Sequence, residues 1–450
     1  MSKGGYKNIA HVVAVDMGYG HERPAHVLRK FAGGKVIIAN DYDGIPDSDR
    51  RLWEGGRKIY EKISRFKKVP LLGRAVFGLM DELQRIPDFY PRRDLSAPSL
   101  QVREMYFLIR YRNHMRHLIE SLAKDPKPLV CTFMSPAFAA EEFGYPGEIF
   151  SLVTDADMSR AWVPLEPRKS RIRYFAPNGR VVERLKLYGV SAKNIELTGF
   201  PLPTEAVGGL DAKVAISDMQ RRICNLDPNG IFVAHTGQAL TNHLGPEYCK
   251  TIRSTKPKPI NLAFVVGGAG AQREIGAVIA KSLEREIKQG KIILHLVAGT
   301  RPEVAEYFIE ESHRAGLTNE IKKGNLNIMF EENRPKYFDE FTKLMRKIDI
   351  LWTKPSELSF YTGLGIPIIM APTVGSQEGF NHKWLEQVGG GIDQLDPRYA
   401  NEWLFDWINS GALARKAWNG FIEAPTHGAY RIADVLMGRP NTIHDLPLVV

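Results

Sequence analysis

The chain has 450 residues, more than one hydrophobic core usually serves, and 44% of them are apolar while 25% are charged. This is ordinary globular composition, which excludes a largely disordered chain. The formal net charge of +10 indicates attraction to something anionic: a phosphorylated substrate, phospholipid head groups or nucleic acid.

Cysteine use and hydropathy indicate the compartment. Cys131, Cys224 and Cys249 lie far apart, without the spacing of a disulfide framework or a zinc site. No window approaches the roughly 18 apolar residues of a spanning helix, and no apolar run follows a basic N-terminal stretch. We therefore expect a cytoplasmic protein without a signal peptide. No aromatic-basic recognition motif accompanies the charge, so we expect no nucleic-acid partner.

The first half of the chain alternates predicted strands with predicted helices. The segment 8–16 (NIAHVVAVD) reads as a strand that enters a glycine turn, and 24–31 as a helix with proline in its first turn. Further strands are predicted at 35–40, 128–133, 148–154, 174–176 and 195–198, with helices at 101–122 and 180–188. Such alternation predicts a parallel sheet with helices on both faces.

The second half repeats this plan. After a weaker stretch at 204–229, strands are predicted at 231–234, 261–266, 291–298, 326–330, 348–353 and 367–371. The predicted fold class is therefore α/β, with two Rossmann-like, doubly wound parallel-sheet domains facing a cleft. We place the first domain at 1–205 and the second at 206–415, with a helical tail at 416–450 that packs back on the first domain.

The first glycine turn contains Gly18, Gly20 and His21. It places His21 at or just before a helix N-terminus, where backbone N–H groups and the helix dipole favour an anion. His21 could therefore act as a base or hydrogen-bond a phosphate. The alternative is a turn histidine without a ligand, because short glycine motifs often occur in such turns.

The second glycine loop, VVGGAGAQR at 265–273, follows an apolar strand and precedes a helix. Its glycines, Gly267, Gly268 and Gly270, allow the backbone to approach a diphosphate, whose charge Arg273 or the helix N-terminus would balance. The loop lacks both G-x-G-x-x-G spacing and G-K-[ST], which disfavours an NAD site and a P-loop ATPase. A purely structural turn is the alternative.

The stretch 349–381 has the densest set of polar groups. One predicted strand ends at Lys354, Ser356 and Glu357, and the next precedes Gln377, Glu378 and Asn381. Open α/β sheets bind ligands at the carboxyl edge of their strands, so these groups suit a sugar or a nucleotide. A solvated loop with a capping glutamate is the alternative.

Taken in order, GYGHERPA, VTDADMSRAW, TGFPLP, VVGGAGAQ, TKPSE, Ile366-Pro367 and GSQEGFN resemble a known family. The chain is similar over most of its length to the inverting GT-B glycosyltransferases that include monogalactosyldiacylglycerol synthase, processive diacylglycerol glucosyltransferases and the peptidoglycan lipid-intermediate N-acetylglucosaminyltransferase. The resemblance implies an acceptor in the first domain and a nucleotide sugar, expected to be a UDP-sugar, in the second.

The resemblance also implies roles for individual residues. His21 and Asp155 are the candidates for activating the acceptor hydroxyl, and Gly18 and Gly20 form the acceptor or phosphate loop. The donor would contact Gly267, Gly268, Gly270, Gln272, Arg273, Lys354, Ser356, Glu357, Gln377, Glu378 and Asn381. No metal and no cofactor beyond the UDP-sugar co-substrate are expected, because the D-x-D spacing at 155–157 falls on the acceptor side.

One departure from the family concerns the ribose. Family members usually carry a ribose-binding glutamate between the lysine and the G-x-P. Here Phe360 occupies that slot when counted back from Gly365, and Glu357 lies near it when counted forward from Lys354. A catalytically inactive nucleotide-sugar sensor or scaffold is therefore an alternative function, as is a UDP-sugar 2-epimerase.

Basic stretches in the first half bear on the acceptor. The segment 65–93 mixes seven Lys or Arg with apolar residues and three acids, and a second basic run occupies 168–173. Such stretches can lie in a lipid interface, which predicts a lipid or glycan acceptor and peripheral attachment to an anionic membrane, on its inner face. The alternative is a core helix with a solvated basic flank. The oligomeric state is left open.

Overall fold

The computed structural model describes residues 8–66, 85–246, 258–268, 270–373 and 375–441, with side chains at all of them except 57–66 and 376. The chain divides into two compact units. The first holds Met1–Pro201, Gly375–Phe380 and His427–Val450, and the second holds Leu202–Val374 and Asn381–Thr426. The stretch from 416 onward, predicted as one tail, is thus shared between the units.

The first unit contains a six-stranded parallel sheet in the order β2-β1-β3-β4-β5-β6. Its strands are β1 (His11–Ala14), β2 (Ile37–Ile38), β3 (Leu129–Cys131), β4 (Ile149–Leu152), β5 (Arg173–Ala176) and β6 (Ile195–Leu197). After β2 the chain returns to the other side of β1 to form β3. The topological switch point of this sheet, where open α/β sheets bind ligands, therefore lies between β1 and β3.

Over the described residues, the helices of the first half of the chain are α1 (Tyr19–Leu28), α2 (Asp47–Phe66), α3 (Leu100–Arg112), α4 (Arg116–Leu122), α5 (Met134–Glu142) and α6 (Gly179–Leu187). The single helix predicted at 101–122 is wrong, since α3 and α4 replace it. The chain breaks there because Asn113 and Met115 adopt left-handed φ values of 51° and 66°, which an α-helix cannot continue through.

The second unit contains a six-stranded parallel sheet in the order β12-β11-β10-β7-β8-β9. Its strands are β7 (Ile260–Val265), β8 (Ile292–Gly299), β9 (Leu326–Phe330), β10 (Ile350–Thr353), β11 (Ile368–Met370) and β12 (Gly391–Asp393). Read from β9, the unit's own strands run 3-2-1-4-5-6, the Rossmann order, with the switch point between β7 and β10. The predicted fold class of two doubly wound, Rossmann-like parallel sheets is confirmed.

The described residues of the second half form twelve further helices. They are α7 (Thr204–Val207), α8 (Lys213–Leu226), α9 (Ile231–Leu244), α10 (Arg273–Ser282), α11 (Glu284–Lys288), α12 (Pro302–Arg314), α13 (Thr318–Lys323), α14 (Arg334–Lys347), α15 (Ser376–Gln387), α16 (Ala400–Asn409), α17 (Ala412–Glu423) and α18 (Gly428–Leu436). Of these, α18 belongs to the first unit, and α15 runs from the first unit into the second.

The strand predicted at 231–234 is wrong, because these residues open α9. The carboxylate of Asp227 accepts hydrogen bonds from the backbone N–H groups of Phe232 and Val233, at 3.1 and 2.9 Å. A carboxylate that satisfies the N–H groups of a first turn starts a helix. Four apolar residues alone do not distinguish a strand from a buried helix segment.

Alternate residues of the first sheet pack on opposite faces. Val13 and Tyr174 belong to one cluster with α3 and α5, and Val12 and Phe150 belong to the other with α1 and α18. From α18, the second cluster takes Ile432, Ala433, Val435 and Leu436. The last described helix of the chain therefore completes the core of the first unit.

Two findings bear on the membrane prediction. Over the described ranges, no helix has both the length and the apolar character needed to cross a membrane. Most of the basic stretch predicted at 65–93 to lie in a lipid interface, namely 67–84, falls outside the described residues.

Candidate functional site

His21 lies in the first turn of α1. The helix begins directly after Gly18, whose φ of 122° is a conformation that residues with a side chain rarely adopt. Gly20 and His21 are already helical, and Pro24 is the sixth helical residue. The prediction that proline occupies the first turn is therefore wrong, because the helix starts five residues earlier than the apolar pattern indicated.

The ring of His21 bonds to the segments that follow β3 and β4. Its Nδ1 lies 2.9 Å from the carbonyl oxygen of Thr132 and 3.3 Å from Oγ1 of Thr154. The rings of Phe133 and Trp162 flank it, with centroids 4.9 and 5.9 Å away. Because a carbonyl oxygen only accepts, Nδ1 carries the proton of the neutral ring and Nε2 carries the lone pair. The β1/β3 switch point thus holds an imidazole of fixed orientation.

Two aspartates follow β4. Asp155 is half-buried in the loop after Thr154. Asp157 is fully buried and accepts two hydrogen bonds of 2.9 Å from Arg184 and one of 2.6 Å from Arg180. The second carboxylate of the D-x-D spacing is therefore committed to an internal ion pair, and the catalytic role of Asp155 stays a prediction.

Lys354 and Gly267 meet at the switch point of the second sheet. Lys354 directly follows β10, and Gly267 lies two residues after β7. A Cβ on Gly267 would lie 2.7 Å from Cε and 3.5 Å from Nζ of Lys354, so only glycine allows the lysine to cross the backbone here. The hydroxyl of Thr353 donates to the carbonyl of Val265 at 3.1 Å and joins the two strand ends. An ammonium group therefore lies beside the glycine loop, as anion binding requires.

The rest of the glycine loop forms a tight turn. Gly270 has a φ of 71°, and its N–H donates to the carbonyl of Gly267 at 2.8 Å. Gln272 also has a positive φ, and its side-chain amide donates to the carbonyl of Pro372, after β11, at 2.7 Å. The predicted donor-binding amide of Gln272 thus ties the loop after β7 to the segment after β11, two strands away in the sheet.

Two arginines lie near this loop. Arg273 opens α10, and its guanidinium lies 4.5 Å from the centre of the Tyr307 ring. Arg301, which we did not predict, follows β8 and donates from Nε to the carbonyl of Gly268 at 2.9 Å. Its place after a predicted strand, at the carboxyl edge, was the signal that could have identified it.

The turn after Lys354 differs from the family pattern. The hydroxyl oxygen of Ser356 accepts from the N–H of Leu358 at 3.3 Å and starts a 3-10 helix at Glu357, which is buried. Phe360, in the slot of the ribose glutamate, is 2% exposed, with its ring centroid 4.8 Å from that of Trp384. Phe360 therefore offers no polar group to a ribose, and a ribose role for Glu357 stays a prediction.

The polar residues after β11 lie in the first turns of α15. The carboxylate of Glu378 accepts a hydrogen bond from the N–H of Gly375 at 3.3 Å, a capping contact of the kind that the alternative interpretation describes. Gln377 is half-buried and Asn381 is buried. Gln377 and Glu378 belong to the first unit and Asn381 to the second. Their contacts with a donor stay predictions.

The second basic run is held by internal partners. Arg168 pairs with Asp94 at 3.0 Å, and Lys169 pairs with Glu166 at 2.6 Å. Arg171 donates to the carbonyl of Gly147 at 2.9 Å, and Arg173 pairs with Glu148 at 2.7 Å and with Glu196 at 2.5 Å. These pairs neutralise much of the charge that we predicted to face a membrane.

Comparison with known proteins adds similarities of fold. A family profile for a domain of unknown function, DUF6938, matches residues 246–430. A search of curated proteins gives no match. Similar solved structures include S. aureus MnaA with UDP, at 11% identity and a TM-score of 0.46, covering 97% of this chain and 99% of that chain.

Two further structures are similar at the same level. MurG of Acinetobacter baumannii is 14% identical with a TM-score of 0.44, covering 96% of this chain and 99% of that chain. UDP-GlcNAc 2-epimerase from Neisseria meningitidis, bound to UDP-GlcNAc, is 11% identical with a TM-score of 0.44, covering 96% and 100%. Similarities this loose assign no activity.

Proposed function

We propose that the protein is a glycosyltransferase that moves a sugar from a UDP-sugar to a hydroxyl group of an acceptor, without a metal ion and with inversion at the anomeric carbon. The observation that carries the proposal is the position of Lys354 across Gly267, at the switch point of a Rossmann-ordered sheet. The order of the sequence motifs supports it independently.

In this proposal the diphosphate lies over Gly267 and Gly268. The ammonium of Lys354 and the guanidinium of Arg301, which bonds to the carbonyl of Gly268, supply positive charge. Hydrogen bonds to charged groups are worth about 1.5–3 kcal/mol each. Fixed donors of this kind stabilise the charge that develops on a departing diphosphate, which is what a metal-free displacement needs.

The proposed reaction is a single displacement. The acceptor oxygen attacks the anomeric carbon while the bond from that carbon to the diphosphate oxygen breaks, and the electron pair leaves on the diphosphate. We propose His21 as the base that takes the hydroxyl proton, because its Nδ1–H bonds to the carbonyl of Thr132 and its lone pair is on Nε2. Asp155 is the second candidate.

The donor half of the proposal is tested by calorimetric titration of UDP, GDP and dTDP into the protein. We expect saturable binding of UDP, with a rise in Tm by mass action. Lys354→Met removes the charge at nearly constant length and should weaken binding about 10- to 150-fold. Absence of binding by all three nucleotides would refute the transferase and its alternatives together.

Two alternatives are separated by the products. A UDP-sugar 2-epimerase would convert UDP-GlcNAc into its 2-epimer without an acceptor, whereas a transferase releases UDP only as the acceptor is consumed. The second alternative, an inactive sensor, is favoured by the burial of Phe360 in the ribose slot. An inactive sensor would bind UDP and form neither the 2-epimer nor a transfer product. Proton NMR of the reaction mixture distinguishes the three outcomes, and His21→Ala should abolish transfer while leaving UDP binding intact.

For the acceptor we propose a lipid or lipid-linked glycan, met at an anionic membrane surface on the cytoplasmic side. One face of α3 exposes Leu100, Phe107 and Tyr111 with Glu104 between them, and the same helix exposes Arg103 and Arg112. Leu100, Phe107 and Tyr111 recur at helical spacing, so their apolar side chains lie on one line. Apolar groups beside basic ones suit the boundary between head groups and acyl chains.

Liposome flotation tests this surface. The protein should float with vesicles containing anionic phosphatidylglycerol, and the double variant Phe107→Glu, Tyr111→Glu should stay at the bottom of the gradient. Tyr399→Glu changes a comparably exposed tyrosine of the second unit and is the matched control. A wild-type protein that fails to float would indicate an acceptor free in solution.

A further inference from the structure

A histidine and two carboxylates converge between α15 and β12 in the second unit. His382 and Glu386 are four residues apart on α15 and so lie on one face of the helix. Asp393 is the last residue of β12, the edge strand that directly follows this helix. Nε2 of His382 lies 2.6 Å from Oδ1 of Asp393, and Nδ1 lies 3.4 Å from Oε2 of Glu386.

We propose that His382, Glu386 and Asp393 bind a divalent ion of the zinc type. One ring nitrogen and one oxygen of each carboxylate lie within 4.8 Å of one another. Zinc binds such atoms at about 2.0–2.2 Å in a tetrahedron, so two of its ligands are roughly 3.4 Å apart. The two carboxylates face different nitrogens of the ring, and rotations that move their oxygens by about 1–2 Å bring both to the same nitrogen.

The local environment permits such rotations. The side chains of Glu386 and Asp393 are 50% and 60% exposed, and that of His382 is 23% exposed. Exposed carboxylates change rotamer at little cost, and water can fill the remaining coordination positions. Within the described part of the chain, no other group of three His, Cys, Asp or Glu side chains brings its ligand atoms this close.

The donor atoms select the ion. One imidazole nitrogen with two carboxylate oxygens is a ligand set that zinc accepts, whereas calcium and magnesium prefer oxygen ligands alone. A bound ion would link α15 to the edge strand of the sheet. His382 directly follows Asn381, one of the predicted donor-binding residues. A bound ion would therefore restrain the helix that carries Asn381. The proposal is independent of the transfer reaction and adds no metal to it.

The test uses the full-length protein without an affinity tag, stripped with EDTA and dialysed. Isothermal titration with Zn²⁺ should give one site per chain, and Co²⁺ should give a visible d–d absorption that Zn²⁺ abolishes. Saturating Zn²⁺ should raise Tm, because the ion binds the folded state. His382→Asn, Glu386→Gln and Asp393→Asn should each weaken binding at least ~10-fold.

His235→Asn is the matched control, because it removes an exposed histidine on α9. It should bind Zn²⁺ like the wild type. Circular dichroism of every variant without metal separates lost binding from lost folding, and Glu386→Gln keeps the shape of the side chain. Equal affinity of the wild type and His382→Asn, or no 1:1 binding up to 100 μM Zn²⁺, would overturn the proposal. UDP titration in EDTA reports on the transferase separately.

Discussion

A methyl group at position 267 would move Lys354 away from the switch point of the second sheet. In Gly267→Ala the new Cβ would lie 2.7 Å from Cε of Lys354, whereas carbon atoms in contact are about 3.5–4 Å apart. The lysine must retreat by roughly 1 Å or adopt another rotamer. Its far end is flexible and no backbone is displaced, so we expect the variant to fold.

The effect on ligand binding should be much larger than the effect on folding. The ammonium would lose its place beside the diphosphate, and a hydrogen bond to a charged group is worth about 1.5–3 kcal/mol. This corresponds to a rise of about 10- to 150-fold in the Kd for UDP. We expect the free energy of unfolding to fall by less than about 1 kcal/mol.

A double-mutant cycle by calorimetry identifies the cause. If alanine at 267 acts by displacing the lysine, the double variant Gly267→Ala, Lys354→Met should bind UDP no more weakly than Lys354→Met alone. Gly237→Ala is the control: its Cβ would meet no atom within 4 Å in α9, so UDP binding should be unchanged. Stability of this control should rise by about 0.5–1 kcal/mol.

Two results would refute this reasoning. Wild-type affinity in Gly267→Ala would mean that the ammonium does not need its place across the glycine. If the losses in the free energy of UDP binding simply add in the double variant, the two residues act independently. Their proximity at the switch point then does not affect UDP binding.

Three further predictions concern stability and pH. Gly420→Ala would place a Cβ 1.8 Å from Oγ1 of Thr362, so we expect the free energy of unfolding in urea to fall by about 1–3 kcal/mol or more. A fall of less than about 0.5 kcal/mol would contradict this close packing. Asp157→Asn leaves the fully buried Arg184 without its carboxylate and should cost about 3–5 kcal/mol in the same assay. Burial lowers the pKa of His295 from 6.5 to about 4, so the unfolded chain binds more protons between these values and stability is lost as the pH falls through them. Because of His295, the free energy of unfolding should fall by about 3 kcal/mol between pH 7 and pH 4, and this part of the fall should be absent in His295→Gln. Identical pH profiles of the wild type and His295→Gln would exclude the effect.

The parallel strands were predictable because they are buried on both faces and therefore form short apolar runs. The run at 326–330 matches β9 to the residue, and most other predicted strands are one to four residues too long. The strand predicted at 231–234 was wrong because a short apolar run is compatible with both a helix and a strand. The carboxylate of Asp227, which starts the helix here, lies outside that run. Edge strand β12 is three residues long and carried no pattern strong enough to predict it.

Part of the candidate site was also predictable. Lys354 and the glycine loop both follow strands, so the rule for carboxyl edges indicated that they would meet. Which partner a polar side chain selects depends on neighbours distant in sequence. Gln272 bonds to the carbonyl of Pro372, and Arg301 bonds to Gly268. No spacing in the sequence encodes these contacts.

The position of α18 on the first sheet has a consequence for biosynthesis. The strands of that sheet are complete by Leu197, yet residues 432–436, which cover one of its faces together with α1, are translated more than 230 residues later. At a synthesis rate of about 5–20 residues per second, the ribosome needs on the order of 10–50 s to reach them. During this interval α1 packs on Val12, Phe150 and their neighbours without the part of the cover that α18 supplies. The nascent first unit should therefore be a client of chaperones that bind apolar surface, and a ribosome that stalls before residue 432 should release an aggregation-prone product.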